Sequence, residues 1–177
     1  MKIVDDFLSK EEHNIVANRL TGFDCEFPWY MCNYITFPKD DHPNLYYFIH
    51  NFYRDNNIWS DEYNWIKEII LPKMDIKSLI RIKANLYPGQ AEKSEHELHS
   101  DYPFSHKGAI YYVNSNDGLT VFEDGTRVES IANRMIFFDP SIKHCSTDCT
   151  DEKYRVNINF NYFKYENSFI KRHTLWM

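Results

Sequence analysis

One pair of side chains in this sequence has the spacing of a metal site. Among the eight histidines, only His99 is followed two residues later by a carboxylate, that of Asp101. Side chains at positions i and i+2 of a β-strand point to the same side, so both groups can bind one ion. His144, at the start of the last predicted strand pair, is the best candidate for a third ligand. Two histidines and one carboxylate leave three coordination positions of an octahedral metal ion open, which suits iron(II) and oxygen chemistry.

A basic residue farther along the chain strengthens this interpretation. Arg155 lies eleven positions after His144, where Arg155, Asn157 and Asn159 alternate with apolar residues. This alternation predicts a strand with one polar face turned toward a wet interior. A buried arginine needs an anionic partner, and a dicarboxylic co-substrate would supply one through a bidentate pair. A surface salt bridge with Asp151 or Glu152 is the structural alternative.

The segments that position these residues change character along the chain. Ser9 and Glu12 form a capping box for a first helix that ends near Gly22. Apolar residues at helical spacing predict two more helices, one opened by Pro43-Asn44-Leu45 and one around residues 65–70. From Leu79 onward the period changes to two, and turn signals separate the strands. The predicted strands are 79–87, 108–114, 120–123, 127–131, 135–138 and 154–163.

These elements predict a mainly β fold with N-terminal helices. Several short strands at near-regular spacing are typical of a sandwich or barrel. We expect a double-stranded β-helix of the jelly-roll, cupin-like type, with the helices buttressing one sheet. The chain of 177 residues predicts a single domain, with an N-terminal helical support over about 1–78 and a β core over about 79–165.

Several pieces of the second half follow one another in a characteristic order. They are Tyr87-Pro88-Gly89-Gln90, His99-Ser100-Asp101, the segments 109–114, 117–122 and 133–139, then His144 and Arg155. In this order they resemble the iron(II), 2-oxoglutarate-dependent oxygenases of the prolyl 4-hydroxylase-like type. The resemblance covers nearly half of the chain well, from about residue 81 to residue 162.

The resemblance implies roles for individual residues. His99, Asp101 and His144 would bind iron(II), and Arg155 would bind the far carboxylate of 2-oxoglutarate. Tyr87 would hydrogen-bond the same co-substrate, and Thr120 would line its pocket. Tyr111, on the strand that follows the metal motif, is a further candidate for the co-substrate site, with a role as a core aromatic as its alternative.

The resemblance implies a dioxygenase that hydroxylates a C–H bond, with iron(II), 2-oxoglutarate, O2 and ascorbate as a possible reductant. Prolyl hydroxylases proper carry lysine where Arg155 stands, which weakens the case for proline as the substrate. The spacing from Tyr87 to His99 is also longer than usual, and Asp117-Gly118 replaces a doubled glycine. Peptidyl proline or another peptide residue, a free amino acid and a small metabolite all stay open as substrates.

Other classes of function stay open at this point. A cupin-like metal enzyme would use the same triad without Arg155, and a non-catalytic jelly roll would bind a small acid. A nucleic-acid demethylase would use the same chemistry, but the net charge of -6 argues against a nucleic-acid partner. We expect no membrane span and no secretory signal, and therefore a cytoplasmic protein. The composition, rich in Asn, Lys and Ile, points weakly to a microbial or viral source.

Three groups of residues have an undecided role. His96 and His106 flank the metal motif, and we interpret His96 as part of a loop or lid. Trp29, Tyr30 and Tyr34 either pack or form the floor of a substrate groove. Four cysteines, Cys25, Cys32, Cys145 and Cys149, lack C-x-x-C spacing and are predicted to be free thiols, with a zinc site as the alternative.

Overall fold

The structure, a computed structural model, describes residues 1–24, 26–36 and 46–165. The chain begins with strand β1 (Lys2–Val4) and helix α1 (Lys10–Thr21). The predicted capping box is confirmed, because the Glu12 backbone N–H donates to the Ser9 hydroxyl and the Ser9 backbone N–H donates to the Glu12 carboxylate. Val16 and Leu20 place the apolar side of this helix in the core.

The next region is extended, not helical. It contains β2 (Tyr30–Cys32), β3 (Tyr47–Arg54) and β4 (Asn57–Ile58), so the second predicted helix is wrong for residues 47–54. The residues predicted to open it, 43–45, lie outside the described part of the chain. A bulge at Phe52 shifts the register of β3 against its neighbour. The extra residue breaks the period of two and leaves apolar residues at a spacing that resembles a helix.

A short helical segment, near the third predicted helix, precedes the main strands. It starts as α2 (Tyr63–Trp65) and continues as a π-helical turn (Ile66–Ile70) and a 3-10 turn (Leu71–Lys73). Trp65, Ile66 and Ile70 are buried against the sheet. No helix in the described residues is long and apolar enough to cross a bilayer.

The remaining strands complete two antiparallel sheets. They are β5 (Ser78–Pro88), β6 (Lys107–Tyr112), β7 (Asn116–Phe122), β8 (Arg127–Ser130), β9 (Arg134–Phe138), β10 (His144–Ser146) and β11 (Tyr154–Phe163). Within the described residues, eight strands form the main sheet, in the order β1-β9-β6-β11-β5-β3-β2 with β4 paired to β3. The small sheet has the order β10-β7-β8. The predicted fold class, a mainly β jelly roll supported by helices, is confirmed.

The two faces of the main sheet differ in chemistry. On one face Ile82, Val156, Ile158 and Phe160 join the apolar core beneath the helices. On the other face polar residues of β5 and β11 are direct cross-strand partners, because their side chains alternate with the apolar ones. These pairs are Tyr87 with Arg155, Asn85 with Asn157, Lys83 with Asn159, and Arg81 with Asn161. The polar face is turned toward the small sheet and lines a pocket between the two sheets.

Candidate active site

The structure brings the three predicted metal ligands together at one end of this pocket. His99 and His144 form an antiparallel β-bridge, with N···O distances of 3.0 and 2.9 Å in the two directions. Asp101 follows two residues after His99, and its backbone N–H donates to the Pro140 carbonyl. One candidate ligand atom from each of His99, Asp101 and His144 lies within 4.8 Å of the other two. This spacing is short enough for one metal ion to bind all three.

Backbone carbonyl groups orient both imidazole rings. Nδ1 of His144 lies 3.0 Å from the Ile142 carbonyl oxygen, and Nδ1 of His99 lies 3.3 Å from the Glu97 carbonyl oxygen. When Nδ1–H donates to a carbonyl, Nε2 carries the free lone pair that a metal needs. Burial and the neighbouring His144 lower the pKa of His99, which favours the neutral, metal-binding form.

Two residues that the sequence analysis did not single out hold the Asp101 carboxylate. Arg81 Nη2 donates to Oδ1 at 2.7 Å, and Asn161 Nδ2 donates to Oδ2 at 2.8 Å. Arg81 Nε also donates to Asn161 Oδ1 at 3.1 Å, so the three side chains form one unit. Burial alone would raise the pKa of Asp101, but the charges of Arg81 and His144 and the Asn161 hydrogen bond hold it well below its ordinary value. The carboxylate is therefore an anion ready to bind a cation.

The guanidinium of Arg155 lies in the same pocket and is fully buried. Its Nε donates to Ser130 Oγ at 2.7 Å, and its Nη2 donates to Thr120 Oγ1 at 3.1 Å. Nη1 has no hydrogen-bond partner. Among the residues that the structure describes, no carboxylate forms an ion pair with Arg155, so the surface salt bridge considered above is wrong. A buried, unpaired guanidinium costs free energy and is a site for an anion.

Aromatic rings enclose this cation. Its guanidinium carbon lies 5.5 Å from the centre of the Tyr87 ring and 5.8 Å from that of the Tyr112 ring. Tyr112 also donates to Thr120 Oγ1 at 2.7 Å. Tyr87 and Thr120 both line the pocket. Tyr112, which the sequence analysis missed, completes the enclosure and keeps water from Arg155.

Tyr111 lies on the opposite face of β6, so its proposed place in the co-substrate site is wrong. Its ring packs in the apolar core beneath α1. Its hydroxyl lies 2.7 Å from His13 Nδ1 and donates to Asn133 Oδ1 at 3.1 Å. The strand alternation that turns Tyr112 toward the pocket necessarily turns Tyr111 away from it.

The two histidines beside the metal motif are buried in hydrogen-bond networks. His96 lies in the loop between β5 and β6, as one of its two interpretations predicted, and its side chain is buried. Its Nδ1 lies 2.8 Å from Ser146 Oγ, and its Nε2 lies 3.1 Å from Asp148 Oδ1. His106 Nε2 lies 3.1 Å from Asn161 Nδ2 and so helps to position the amide that holds Asp101.

Among the other undecided residues that the structure describes, only Cys145 lines the pocket. Trp29 packs against the apolar core, as one of its two interpretations predicted, whereas Tyr30 and Tyr34 are exposed. Cys32, Cys145 and Cys149 are free thiols as predicted, and Cys25 lies outside the described residues.

The donor set and the pocket fit an iron(II) ion with a dicarboxylic ligand. Imidazole and carboxylate donors on one side of an ion, with open positions opposite, are the arrangement of non-haem iron oxygenases. The unpartnered Nη1 of Arg155, in the same pocket, offers a contact for a carboxylate that reaches away from the metal.

Comparison with models of protein families gives no match, and comparison with the sequences of curated proteins gives none either. Solved structures are similar in fold. A prolyl-4-hydroxylase from Pseudomonas putida superposes with a TM-score of 0.59 and 14% identity, over 92% of each chain. A prolyl hydroxylase from Trichoplax adhaerens, solved with a peptide fragment of hypoxia inducible factor, gives a TM-score of 0.63 and 13% identity over 92% of this chain and 83% of that one.

A third similar structure is SnoN, a non-haem alpha-ketoglutarate-dependent epimerase of nogalamycin biosynthesis. It superposes with a TM-score of 0.63 and 13% identity, over 92% of this chain and 76% of that one. The chain therefore has the fold of the iron(II), 2-oxoglutarate-dependent oxygenases, including their prolyl-hydroxylase branch, as the sequence resemblance implied.

Proposed function

We propose that this chain is an iron(II)- and 2-oxoglutarate-dependent dioxygenase that hydroxylates a C–H bond of a small-molecule or peptide substrate. One observation carries the proposal. A cluster of two histidines and one carboxylate shares a pocket with a buried arginine that has no ionic partner among the described residues. The proposal treats residues 1–177 as one catalytic domain.

His99, Asp101 and His144 would hold the iron in this proposal. The bound iron supplies O2 activation coupled to oxidative decarboxylation of the 2-oxo acid, with ascorbate as the proposed external reductant. The chain itself supplies geometry. Arg81 and Asn161 fix both oxygens of Asp101, so the carboxylate meets the ion without first reorganising.

Arg155 would bind the far carboxylate of 2-oxoglutarate. Its Nε and Nη2 are fixed by Ser130 and Thr120, which leaves Nη1 free for the ligand. Tyr87 and Tyr112 cover the guanidinium and exclude water, which strengthens an ion pair formed there. A cupin-like metal enzyme without a co-substrate would have no need for a buried cation at this position. A binding-only jelly roll could use the cation to hold a small acid, but it would not convert 2-oxoglutarate to succinate.

The test is an anaerobic iron(II) titration with and without 2-oxoglutarate, followed by the weak visible charge-transfer absorption of the chelate. We expect a band that requires both components in the wild type, no band in Asp101→Ala, and a band that needs much more 2-oxoglutarate in Arg155→Ala. Arg127→Ala, which removes an exposed arginine paired with Glu95, is the matched control and should behave as the wild type. Wild-type protein that binds iron but gives no band with 2-oxoglutarate would refute the proposal and favour the cupin-like or binding-only alternatives.

A further inference from the structure

A second cation lines the pocket, and neither the metal site nor the Arg155 site accounts for it. Lys83 on β5 lines the same pocket as His99 and Asp101. Within the described residues it forms no ion pair, and its ammonium group donates a long hydrogen bond of 3.4 Å to the Tyr47 hydroxyl. Burial and the nearby charge of Arg81 lower the pKa of Lys83 to about 7, as expected for an ammonium group that lacks a counter-ion.

The charges of the site leave room for one more anion. Arg81 and Asp101 neutralise each other at 2.7 Å. The iron(II) ion and the 2-oxoglutarate dianion of the proposed function also cancel in formal charge. Arg155 and Lys83 then remain as surplus positive groups, and only Arg155 meets a co-substrate carboxylate. A lysine held in a desolvated pocket is stabilised by an anionic partner.

Two amide oxygens beside Lys83 require hydrogen-bond donors. Oδ1 of Asn85 and Oδ1 of Asn159 are buried and have no partner. Asn85 is the next residue on the same face of β5, and Asn159 is the cross-strand partner of Lys83 on β11. The dianion of 2-oxoglutarate has only acceptor oxygens, so it cannot satisfy these two atoms. A different ligand, with both an acid group and N–H or O–H donors, would satisfy all three side chains.

We infer that the primary substrate is a free amino acid, whose carboxylate pairs with Lys83 and whose amino group donates to the amides of Asn85 and Asn159. This inference rests on the proposed function and names its substrate class. A residue within a peptide carries neither a free α-carboxylate nor a free α-amino group, so it would leave Lys83 and the two amide oxygens without these partners. The site would thus select free amino acids over peptides by charge.

The experiment uses the zinc(II)-loaded chain of 177 residues with 2-oxoglutarate, so that binding is measured without oxygen chemistry. Each standard free L-amino acid is tested by saturation-transfer NMR, and every ligand found is compared with its amide and with its N-acetyl amide. We expect at least one free amino acid to bind, and both capped forms to bind about tenfold or more weakly, since each loses a charge-assisted contact.

Variants then assign the preference to Lys83. Lys83→Met should weaken binding of the free acid about tenfold or more, and should remove the preference over the amide. Lys83→Arg should retain that preference, and Lys67→Met, at an exposed lysine, should bind as the wild type. Melting temperatures establish that each variant is folded. The 2-oxoglutarate signals, recorded in the same samples, should not change in Lys83→Met.

Three results would overturn the inference. They are the absence of binding by any free amino acid, equal binding of acids and capped forms, and loss of 2-oxoglutarate binding in Lys83→Met, which would assign Lys83 to the co-substrate. Failure of the proposed function looks different, because wild-type protein would then not bind 2-oxoglutarate at all.

Discussion

Gly118 lies so close to Arg155 that a methyl group does not fit between them. A Cβ atom on Gly118 would be 2.6 Å from Arg155 Cδ, 3.1 Å from Arg155 Nε and 2.8 Å from Asn116 Oδ1. Carbon atoms in contact prefer separations of about 3.5–4.0 Å. The backbone of Gly118 is held in strand β7, so in Gly118→Ala the side chain of Arg155 has to move away by about 1 Å.

The magnitude follows from the contacts that Arg155 would lose. Its Nε and Nη2 bonds to Ser130 and Thr120 are 2.7 and 3.1 Å long, and the side chain is buried on all sides. A shift of this size disrupts at least one charged hydrogen bond, worth about 1.5–3 kcal/mol. We predict that Gly118→Ala weakens 2-oxoglutarate binding by about 10- to 100-fold.

The assay is the dissociation constant of 2-oxoglutarate, measured anaerobically with saturating iron(II). Gly125→Ala is the control, because nothing lies within 4 Å of a Cβ there, although its φ of +85° makes alanine strained. That variant should lose about 1 kcal/mol of stability and keep its 2-oxoglutarate affinity. Wild-type affinity in Gly118→Ala would refute the account of how Arg155 is held, and so would an equal loss in both variants.

Three further predictions concern the surroundings of the site. Tyr111→Phe should cost about 1 kcal/mol in the free energy of unfolding and leave the 2-oxoglutarate affinity unchanged, whereas Tyr112→Phe should weaken that affinity about fivefold; the reverse pattern would contradict the assignment of the two strand faces. Asn161→Ala should lower zinc(II) affinity roughly 10- to 100-fold, measured by competition with a chelator, because Asp101 loses a fixed partner. Burial would raise the pKa of Asp148, but hydrogen bonds from His96 and Ser94 hold it below the ordinary value of 3.8 in the folded protein. The ionised Asp148 therefore stabilises the fold fully above pH 3.8, and this stabilisation is lost as the pH falls through the lowered pKa of the folded state. Asp148→Asn should thus cost about 1–3 kcal/mol in denaturant unfolding at neutral pH, and this difference should shrink below pH 3.8.

Local patterns in the sequence were sufficient to single out His99, Asp101 and Arg155, but not Lys83 or Asn85, which line the same pocket. The spacing of His99 and Asp101 predicts a shared direction, and the alternation around Arg155 predicts a polar strand face. Both are properties of a few consecutive residues, so they survive folding whatever the neighbouring strands are. The structure brings these residues into one pocket with His144.

Features that depend on strand register could not be predicted in the same way. The contact of Arg81 and Asn161 with Asp101 requires β5 to pair with β11, which no local pattern specifies. The alternation of side chains places Tyr111 on the same face of its strand as Ala109 and Val113. It does not indicate whether that face packs against the helices or lines the pocket. In β3 the bulge at Phe52 removed the period of two on which strand prediction depends.

The conversion of 2-oxoglutarate to succinate tests the central claim most directly. We predict that the wild-type protein forms succinate slowly without a primary substrate, and only when iron(II) and O2 are both present. Asp101→Ala should form none, and Arg155→Ala should need a much higher 2-oxoglutarate concentration. Iron-loaded wild-type protein that forms no succinate, or Asp101→Ala that forms it at the wild-type rate, would contradict the account.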